Sequence, residues 1–462
     1  MVDETSTGRL VQDQRDFFNS GVTRDIAFRA KQLKLLGRAI YGNRPLILKA
    51  LKEDLGKPAF EAYVAEVSQV LSDVDAAAKK VRSWARPRRV RTPVFLFPAS
   101  SYVYPEPLGV TLIIGPWNYP MDLVMAPLVG AVAAGNCAVV KPSEIAPATS
   151  NEVAKMIADT FEPSYIAAVE GGPDIAQSLL AQKFDHIFYT GGAVVGRLVM
   201  EAAARNLTPV TLELGGKSPC IVEPDTNLEH TARRIAWGKF FNAGQTCIAP
   251  DYLLVNRGIK RELLEAIIKY VRLFYGEDPA NSPDFARIVS DRHFERVSGL
   301  LGPGEILLGG DNDPSTRYIA PTIIDGVRAG DPVMREEIFG PVLPVIEYGE
   351  LGEAIAFVNE RPKPLALYFF SRDRGKQERV LAATSSGGCC MNDVLLHFSN
   401  SSLPFGGVGM SGFGKYHGKW SFDSFSNMKA VVRKSFLLDL YVRYPPYRNT
   451  LKWTRKLLRY IT

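Results

Sequence analysis

VTLIIG at residues 110–115 and NCAVVK at 136–141 are short apolar runs rich in β-branched residues, and a helix-like segment separates them. Continuous apolar runs that alternate with helical stretches are typical of a parallel sheet covered on both faces. The same alternation continues in YIAAVEG (165–171), HIFYTG (186–191) and PVTLELGG (209–216). The fold class that we predict is therefore α/β.

A second α/β series follows from residue 218 to about 394. Its strand-like runs are PCIVE (219–223), YLLVN (252–256), EILLGG (305–310) and ALYFFS (366–371). With 462 residues, of which 46% are hydrophobic, the chain is too long for one typical core. Two large domains are the natural expectation.

The N-terminal part of the chain favours helices. Apolar residues recur at three- and four-residue spacing in 12–18, 24–39, 44–55 and 59–84. Asn43 followed by Pro45 indicates a helix start, and GKP at 56–58 indicates a stop. The Pro-rich, alternating segment 86–109 predicts an exposed strand pair.

The stretch LVMAPLVGAVAAGNCAVV, residues 123–140, is long enough to be weighed as a membrane span. Pro127, Gly130, Gly135 and Asn136 interrupt it, so we predict a buried helix, a turn and a buried strand instead. The first ten residues are polar and do not resemble a signal peptide. We therefore expect a soluble, cytoplasmic protein.

The net charge of +6 comes from one end of the chain. Residues 431–462 hold eight Lys and Arg side chains and one Asp, a net charge of +7, so the remainder carries −1. This distribution disfavours a nucleic-acid-binding domain. The segment 451–462 can form a basic amphipathic helix. Three interpretations stand side by side: contact with an anionic membrane surface, a disordered basic tail, or a helix docked on a partner subunit.

Five cysteines at irregular spacing, without a CxxC pair, argue against a disulfide framework or a zinc knuckle. The five histidines show no metal-ligand spacing, so we predict no metal site. Free thiols suit a reducing compartment. Cys247, in the turn GQTC (244–247), is a candidate nucleophile, although an isolated cysteine is more often a small buried residue.

Two polar residues follow predicted strands. Glu213 places a carboxylate near the end of the run 209–216, where burial is costly unless the charge is used or paired; a surface-facing strand end is the alternative. Asn118, in GPWNYP (115–120), follows the run that begins at Val110. An amide there can donate a hydrogen bond to a developing oxyanion, or it can simply belong to a turn.

Two further segments have the character of nucleotide contacts. TGGAVVG (190–196) follows a strand and opens a helix, as phosphate-binding turns do, but its GxxxxG spacing is a weak signal by itself. KPSE (141–144) also follows a strand. Lys141 and Glu144 can hold the hydroxyls of an adenosine ribose, or they can be solvated loop charges.

Taken together, a set of motifs resembles the aldehyde dehydrogenase superfamily in order and spacing: GPWNYP, KPSE, FYTGGAVVG, LELGGKSP, FNAGQTC, EEIFGP and PFGGVGMSGFGKYHGKWSFDSFS. YHGKWSFDSFS, the later YPPY (444–447) and the short N-terminus resemble the branch that oxidises fatty and aromatic aldehydes. The resemblance implies a Rossmann-like NAD(P)-binding domain and an α/β catalytic domain, joined by a small β arm for bridging or oligomerisation. The implied bounds are 1–83 and 107–213, then 214–394, then 84–106 and 395–430 for the arm, with a basic tail at 431–462.

The resemblance also implies roles for individual residues. Cys247 is the expected nucleophile, Glu213 the general base, and Asn118, with the backbone N–H of Cys247, the oxyanion site. The implied cofactor-binding residues are Lys141 and Glu144 at the adenosine ribose, Gly191 and Gly196 at the pyrophosphate, Glu337 at the nicotinamide ribose, Phe339 beside the ring, and Trp117. Segments that line the substrate tunnel in similar enzymes contain Tyr63, Tyr119, Met391 and His397, for which core packing is an equal alternative.

The implied activity is NAD(P)-dependent oxidation of medium- or long-chain aliphatic, aromatic or isoprenoid aldehydes to carboxylic acids. It proceeds through a thiohemiacetal and a thioester on Cys247, which water activated by Glu213 hydrolyses. We expect use of both NAD and NADP, and a homodimer formed by strand addition through the arm. The alternatives are a coenzyme-A-acylating dehydrogenase, which Glu213 argues against, and a catalytically silent homologue that binds membrane surfaces.

Overall fold

A computed structural model describes residues 4–439 and 443–447, together with Leu451 and Arg455. The chain begins with helices and a π-helical turn at Tyr63–Ser68. The helices are α1 (Glu4–Asn19), α2 (Ile26–Leu55), α3 (Ala59–Ala62) and α4 (Gln69–Trp84). An antiparallel strand pair follows, β1 (Arg88–Val90) with β2 (Ala99–Pro107), which confirms the strand pair predicted for 86–109.

Helix α2 runs through Pro45 without interruption. The predicted helix start at Asn43 and Pro45, and the division into 24–39 and 44–55, are therefore wrong. The helix starts instead at the Asp25 cap, whose carboxylate accepts from the Ala27 N–H at 3.0 Å. A mid-helix proline costs about 3 kcal/mol. That cost is offset by burial of one continuous apolar face, formed by Leu33, Leu36, Ile40, Ile47, Leu51 and Leu55.

The first sheet has the strand order β17-β7-β6-β3-β4-β5. Its strands are β3 (Val110–Ile114), β4 (Cys137–Lys141), β5 (Ile166–Ala168), β6 (His186–Gly191) and β7 (Val210–Leu214), which are mutually parallel. The connecting helices are α5 (Asp122–Ala134), α6 (Pro147–Ala158), α7 (Pro173–Leu180) and α8 (Ala193–Ala204). Helix α5 is buried along its whole length and ends at Gly135, whose φ of 96° turns the chain into β4. The expected buried helix, turn and strand are thus confirmed.

The second sheet has the order β10-β13-β14-β9-β8-β15-β16, and its β10–β13 pair is antiparallel. Its strands are β8 (Pro219–Val222), β9 (Tyr252–Asn256), β10 (Glu305–Leu308), β13 (Thr322–Asp325), β14 (Val342–Tyr348), β15 (Ala366–Phe370) and β16 (Gly388–Met391), with a separate hairpin of β11 (Asn312–Asp313) and β12 (Tyr318–Ile319). The helices of this region are α9 (Leu228–Phe240), α10 (Lys260–Tyr275), α11 (Asp291–Ser298), α12 (Leu351–Asn359) and α13 (Arg374–Ala383). The α/β class is therefore confirmed.

The C-terminal part returns to the other layers. β17 (Gly412–Phe413) pairs with β7 at the edge of the first sheet. α14 (Gly418–Ser424) packs on α5, and β18 (Ser426–Lys434) pairs with β2 along its whole length. The helix predicted for 451–462 lies outside the described residues except for Leu451 and Arg455, which are exposed. Within the part of the chain that the structure describes, no helix is long and apolar enough to cross a membrane.

Candidate active site

A cavity of about 680 Å³ lies where the two large sheets meet. One wall comes from the segment after β3, at 116–118, and from the ends of β6 and β7 with the residues that follow them, at 190–193 and 213–217. The strand order places β3 beside β6, and the connections run outward from this pair in opposite directions, which is where α/β sheets bind ligands. The facing wall includes Cys247, His293, Arg296 and 334–337.

Cys247 stands on a tightly constrained turn. Asn242 and Ala243 adopt left-handed conformations with φ of 52° and 50°, which are costly for residues with a Cβ. At Gly244, φ is 72°, and a Cβ there would lie 2.2 Å from the Gly340 carbonyl oxygen. The Gln245 side chain fixes the turn by donating to the Arg287 carbonyl at 2.9 Å and accepting from the Val289 N–H at 3.0 Å.

Asn118 is held from several sides. Its side-chain amide donates to the Gln245 carbonyl at 3.0 Å, so it lies against the turn that carries Cys247. The backbone carbonyl of Asn118 accepts from Lys57 Nζ at 3.0 Å and from Asn242 Nδ2 at 3.1 Å. Lys57 is itself paired with Glu66, and both side chains are fully buried. The sequence analysis missed Lys57, Glu66 and Asn242, because no local pattern marks a lysine that supports a residue 61 positions away.

Glu213 lies in β7 with 1% of its surface exposed. Its Oε1 has no hydrogen-bond partner among the described residues, so it is available to a molecule that enters the cavity. Burial raises the pKa of Glu213 to about 8, while the nearby charge of Lys415 acts in the opposite direction. A carboxyl group with a pKa near neutrality can both accept and release a proton at working pH.

The Cys247 thiol has a pKa well above its usual value, first because it is buried and then because Glu213 and Glu337 place negative charge nearby. The neutral thiol therefore predominates in this arrangement, and a base or a cationic ligand is required to form the thiolate. Tyr119 lies beneath the turn, with its hydroxyl 2.6 Å from Thr246 Oγ1.

Glu337 and Phe339 belong to one loop that forms the facing wall. Glu337 lies close over Gly215, where a Cβ would be 1.9 Å from its Oε2. Arg296 holds the loop by donating to the carbonyls of Glu337 at 3.3 Å and Ile338 at 2.6 Å. Phe339 contacts Trp117 edge-on, with ring centroids 5.2 Å apart. Arg296 is a fourth residue that the sequence analysis missed.

The predicted phosphate-binding glycines occupy different positions. Gly191 lines the cavity beside the first turn of α8, as does Thr190, whose buried hydroxyl has no hydrogen-bond partner within the described ranges. Gly196 is buried against the sheet, where a Cβ would lie 2.9 Å from Leu214 Cδ2. It therefore lets α8 pack closely on β7 and does not itself line the cavity.

Lys141 and Glu144 lie outside the cavity lining, at the end of β4. They form an ion pair at 2.8 Å, in which the Lys141 side chain is 4% exposed and that of Glu144 is 39% exposed. Lys141 also donates to the Pro142 carbonyl at 3.1 Å. The pair is therefore a preformed polar group at the strand next to β3.

The four predicted tunnel residues are dispersed around the cavity rather than in its lining. Tyr63 is 41% exposed on the π-helical turn, and Tyr119 is buried. Met391 ends β16 and is half-buried. His397 Nδ1 lies 3.2 Å from Cys390 Sγ, and burial lowers the pKa of this histidine to about 4, so it is neutral at working pH.

A thiol, an amide donor and a buried carboxylate around one cavity, beside a helix that begins at a strand end, define the class. Residues 3–431 match the aldehyde dehydrogenase family, and the chain belongs to this family of NAD(P)-dependent oxidoreductases. The predicted family and fold are confirmed.

Individual relatives span nearly the whole chain. The chain is 47% identical over 445 residues to 4,4'-diaponeurosporen-aldehyde dehydrogenase of Staphylococcus aureus, covering 96% of this chain and 97% of that protein. It is 47% identical over 444 residues to a dimeric, NADP-preferring aldehyde dehydrogenase of Rattus norvegicus, covering 96% and 98%. A solved structure of the substrate-bound state of Staphylococcus aureus AldH is similar with a TM-score of 0.95 at 46% identity, covering 97% of this chain and 99% of that one.

Proposed function

We propose that this aldehyde dehydrogenase oxidises medium- or long-chain aliphatic, aromatic or isoprenoid aldehydes to carboxylic acids, with Cys247 as nucleophile and Glu213 as general base. The observation that carries the proposal is the convergence of Cys247, Asn118 and Glu213 on one cavity. Each of the three supplies a different function that thioester chemistry requires: a nucleophile, a donor for the oxyanion, and a proton acceptor.

The first step falls to Cys247. After its proton has been removed, the Sγ atom adds to the aldehyde carbon, and the oxygen of the adduct becomes an oxyanion. The Asn118 amide and the backbone N–H of Cys247 stabilise that charge; the loss of one such donor typically costs about 3 kcal/mol of barrier. Bound NAD or NADP supplies the acceptor for the hydrogen and electron pair that leave the carbon.

The second step falls to Glu213. It removes a proton from water, the resulting hydroxide attacks the thioester carbonyl, and the carbon–sulfur bond breaks to return the Cys247 thiolate. The unpartnered Oε1 of Glu213 favours this role, because a carboxylate committed to an ion pair would be a weaker base. The net products are the carboxylic acid, the reduced cofactor and a proton.

The residues around the cavity fit a dinucleotide. Thr190 offers a buried hydroxyl without a partner in the described part of the chain, and the first turn of α8 offers free backbone N–H groups to phosphate. Glu337 is the residue for the nicotinamide ribose, beside Phe339 and Trp117. The ion-paired Lys141 and Glu144 would hold the adenosine ribose, and rotation of Glu144, the more exposed partner, would admit a 2′-phosphate.

The relatives support the substrate class and a dimer. One is named for 4,4'-diaponeurosporen-aldehyde, and another is named as dimeric. The long pairing of β18 with β2 presents an exposed strand that a second copy can extend. The basic segment 448–462 would bring the enzyme to lipid-borne aldehydes; loss of binding to anionic liposomes on its deletion supports this role, and unchanged binding contradicts it.

The test measures reduction of NAD or NADP by the increase in its absorbance. The substrates are aldehydes from propanal to hexadecanal, benzaldehyde and retinal. We expect activity without coenzyme A and its loss in Cys247→Ala, whereas Cys389→Ala, a half-buried cysteine on β16, serves as the matched control. Activity that requires coenzyme A would replace the proposal with the acylating reaction. Equal activity in Cys247→Ala and the control would refute the nucleophile.

A further inference from the structure

Glu61 is a buried carboxylate that the proposed reaction does not use. It lies on α3, outside the lining of the active-site cavity, with 8% of its surface exposed. Among the described residues it belongs to no ion pair, since neighbouring Lys57 is paired with Glu66. Burial raises the pKa of Glu61 to about 7, a rise that the hydrogen bond described next and the charge of Lys57 oppose. A buried acidic group without a cationic partner is costly and calls for an explanation.

The partner of Glu61 is a backbone group of the turn that carries Cys247. Glu61 Oε2 accepts from the Asn242 N–H at 3.0 Å, which is its one hydrogen bond within the described part of the chain. Asn242 is fully buried, so this N–H has no access to solvent and needs a protein partner. Asn242 and Ala243 also have left-handed φ values of 52° and 50°. Such conformations persist only where the surrounding contacts fix them.

Asn242 in turn contacts Asn118 in two ways. Its Nδ2 donates to the backbone carbonyl of Asn118 at 3.1 Å and to the carbonyl of Gln245 at 3.2 Å. The same Gln245 carbonyl accepts from the side-chain amide of Asn118 at 3.0 Å. Asn242 therefore holds both the backbone of Asn118 and the acceptor that sets the direction of its amide. Hydrogen bonds thus connect Glu61 to Asn118 without a gap.

We propose that Glu61 is a positioning residue for aldehyde oxidation: by binding the Asn242 backbone, it keeps the Asn118 amide aligned with the oxyanion. The inference rests on the role of Asn118 given under Proposed function. An oxyanion donor is effective only when it is aligned before the charge develops. Without an acceptor for its N–H, the left-handed turn can relax, and Asn242 Nδ2 then leaves its two carbonyls.

A carboxylate suits this position better than a neutral side chain. A hydrogen bond to a charged acceptor is about twice as strong as one between neutral groups. Glu61→Gln keeps an acceptor of the same length and loses the charge, whereas Glu61→Leu removes the acceptor and keeps an apolar side chain of similar size. The two variants therefore form a graded series at one position.

The experiment measures kcat for aldehyde oxidation at saturating NADP in Glu61→Leu, Glu61→Gln and the wild type. The matched control is Glu223→Leu. Glu223 is also a buried glutamate, with 3% of its surface exposed, and it accepts from the Tyr348 hydroxyl at 2.6 Å, but it lies after β8 and outside the cavity lining. Urea denaturation and the Kd for NADPH, measured by its fluorescence, show that each variant is folded.

We expect kcat to fall about tenfold in Glu61→Leu and about threefold in Glu61→Gln, with the Kd for NADPH changed less than about twofold. Glu223→Leu should lose stability and keep the wild-type kcat. A wild-type kcat in Glu61→Leu, or the same loss of kcat in Glu61→Leu and Glu223→Leu, overturns the inference. If Glu61→Leu does not fold, Glu61→Gln decides: a wild-type kcat in this variant then overturns the inference.

An Asn118→Ala background tests whether the effect passes through Asn118. The donor is already absent there, so adding Glu61→Leu should lower kcat by less than about a further twofold. A full tenfold fall in that background means that Glu61 acts elsewhere, and it overturns the inference. A wild-type kcat in Asn118→Ala alone overturns the proposed role of Asn118 and the inference with it. The failure of Glu61 alone looks different, because Asn118→Ala is then slow while Glu61→Leu is not.

Discussion

Lys57→Met tests how Asn118, the proposed oxyanion donor, is held in place. The lysine and Glu66 form an ion pair with fully buried side chains, and Lys57 Nζ also donates to the Asn118 carbonyl at 3.0 Å. The substitution keeps the apolar stem and removes the charge. It leaves a buried carboxylate whose Oε2 still accepts from the N–H groups of Met121 and Asp122.

Removing one partner of a buried pair typically costs about 3–5 kcal/mol. Because two backbone donors remain on Glu66, we expect the lower end, about 3 kcal/mol in the free energy of unfolding. Asn118 keeps its contact with Asn242 but loses its strongest donor, so we expect kcat to fall about tenfold, less than the 10²–10³ typical of deleting an oxyanion donor outright.

Urea denaturation followed by tryptophan fluorescence measures the first quantity, and steady-state aldehyde oxidation the second. The control is Lys79→Met, which breaks the pair with Asp75 in which the two side chains are 71% and 64% exposed, and it should cost less than about 1 kcal/mol. The double variant Lys57→Met/Glu66→Gln should recover stability but not kcat, because it removes the unpaired charge without restoring the donor. Equal destabilisation by Lys57→Met and Lys79→Met would refute the burial argument, and an unchanged kcat in Lys57→Met would refute the anchoring of Asn118.

Three further predictions follow from the cavity walls. Because burial raises the pKa of Glu213 to about 8 and the deprotonated carboxylate is the active form, the rate of thioester hydrolysis should rise with pH up to about 8 and then level off; a pH profile checks this, and a rise that persists in Glu213→Gln contradicts it. Gly244→Ala should abolish folding or activity, since a Cβ would lie 2.2 Å from a backbone oxygen at φ 72°, whereas Gly21→Ala, with a similar φ of 80° but open space, should cost about 1 kcal/mol in thermal denaturation; similar effects of the two would contradict the steric argument. Arg296→Met releases the carbonyls of the Glu337 loop and should raise the KM for NAD(P) severalfold more than it lowers kcat, and an unchanged KM would show that this arginine does not position the cofactor.

The sheets could be predicted because the signal is local. Each quoted run of the first sheet contains the observed strand, as with 186–191 and β6 (His186–Gly191). Strands buried on both faces are apolar at most positions, and such runs stand out from the more polar segments around them. The sequence does not predict the direction of strand pairing as well. The run 305–310 is also short and mostly apolar, yet β10 is an antiparallel edge strand.

Pro45 shows where local reasoning fails. A proline near an asparagine is a sound helix-start signal, but Leu36, Ile40 and Ile47 on both sides of it belong to one buried face. Asn43 contributes to the continuity, since its side-chain amide donates to the Ala39 carbonyl at 2.9 Å. The tertiary contact of the whole face with α4, α5 and α6 outweighs a penalty that depends on a single residue.

The residues of the candidate site also differ in whether a local sequence pattern marks them. Cys247, Asn118 and Glu213 were candidates from the sequence because each lies near the end of a strand or on a turn, but the family resemblance was needed to predict their roles. Lys57 and Glu66 could not be found, because Lys57 lies in the short link between α2 and α3, Glu66 lies on the π-helical turn, and their contact with Asn118 exists only after folding. Burial of an ion pair costs desolvation free energy, and no local sequence pattern marks such a pair. That cost is the physical reason to expect the pair to matter: two apolar side chains would stabilise the fold more simply, yet two charges are buried beside the residue that we propose as the oxyanion donor.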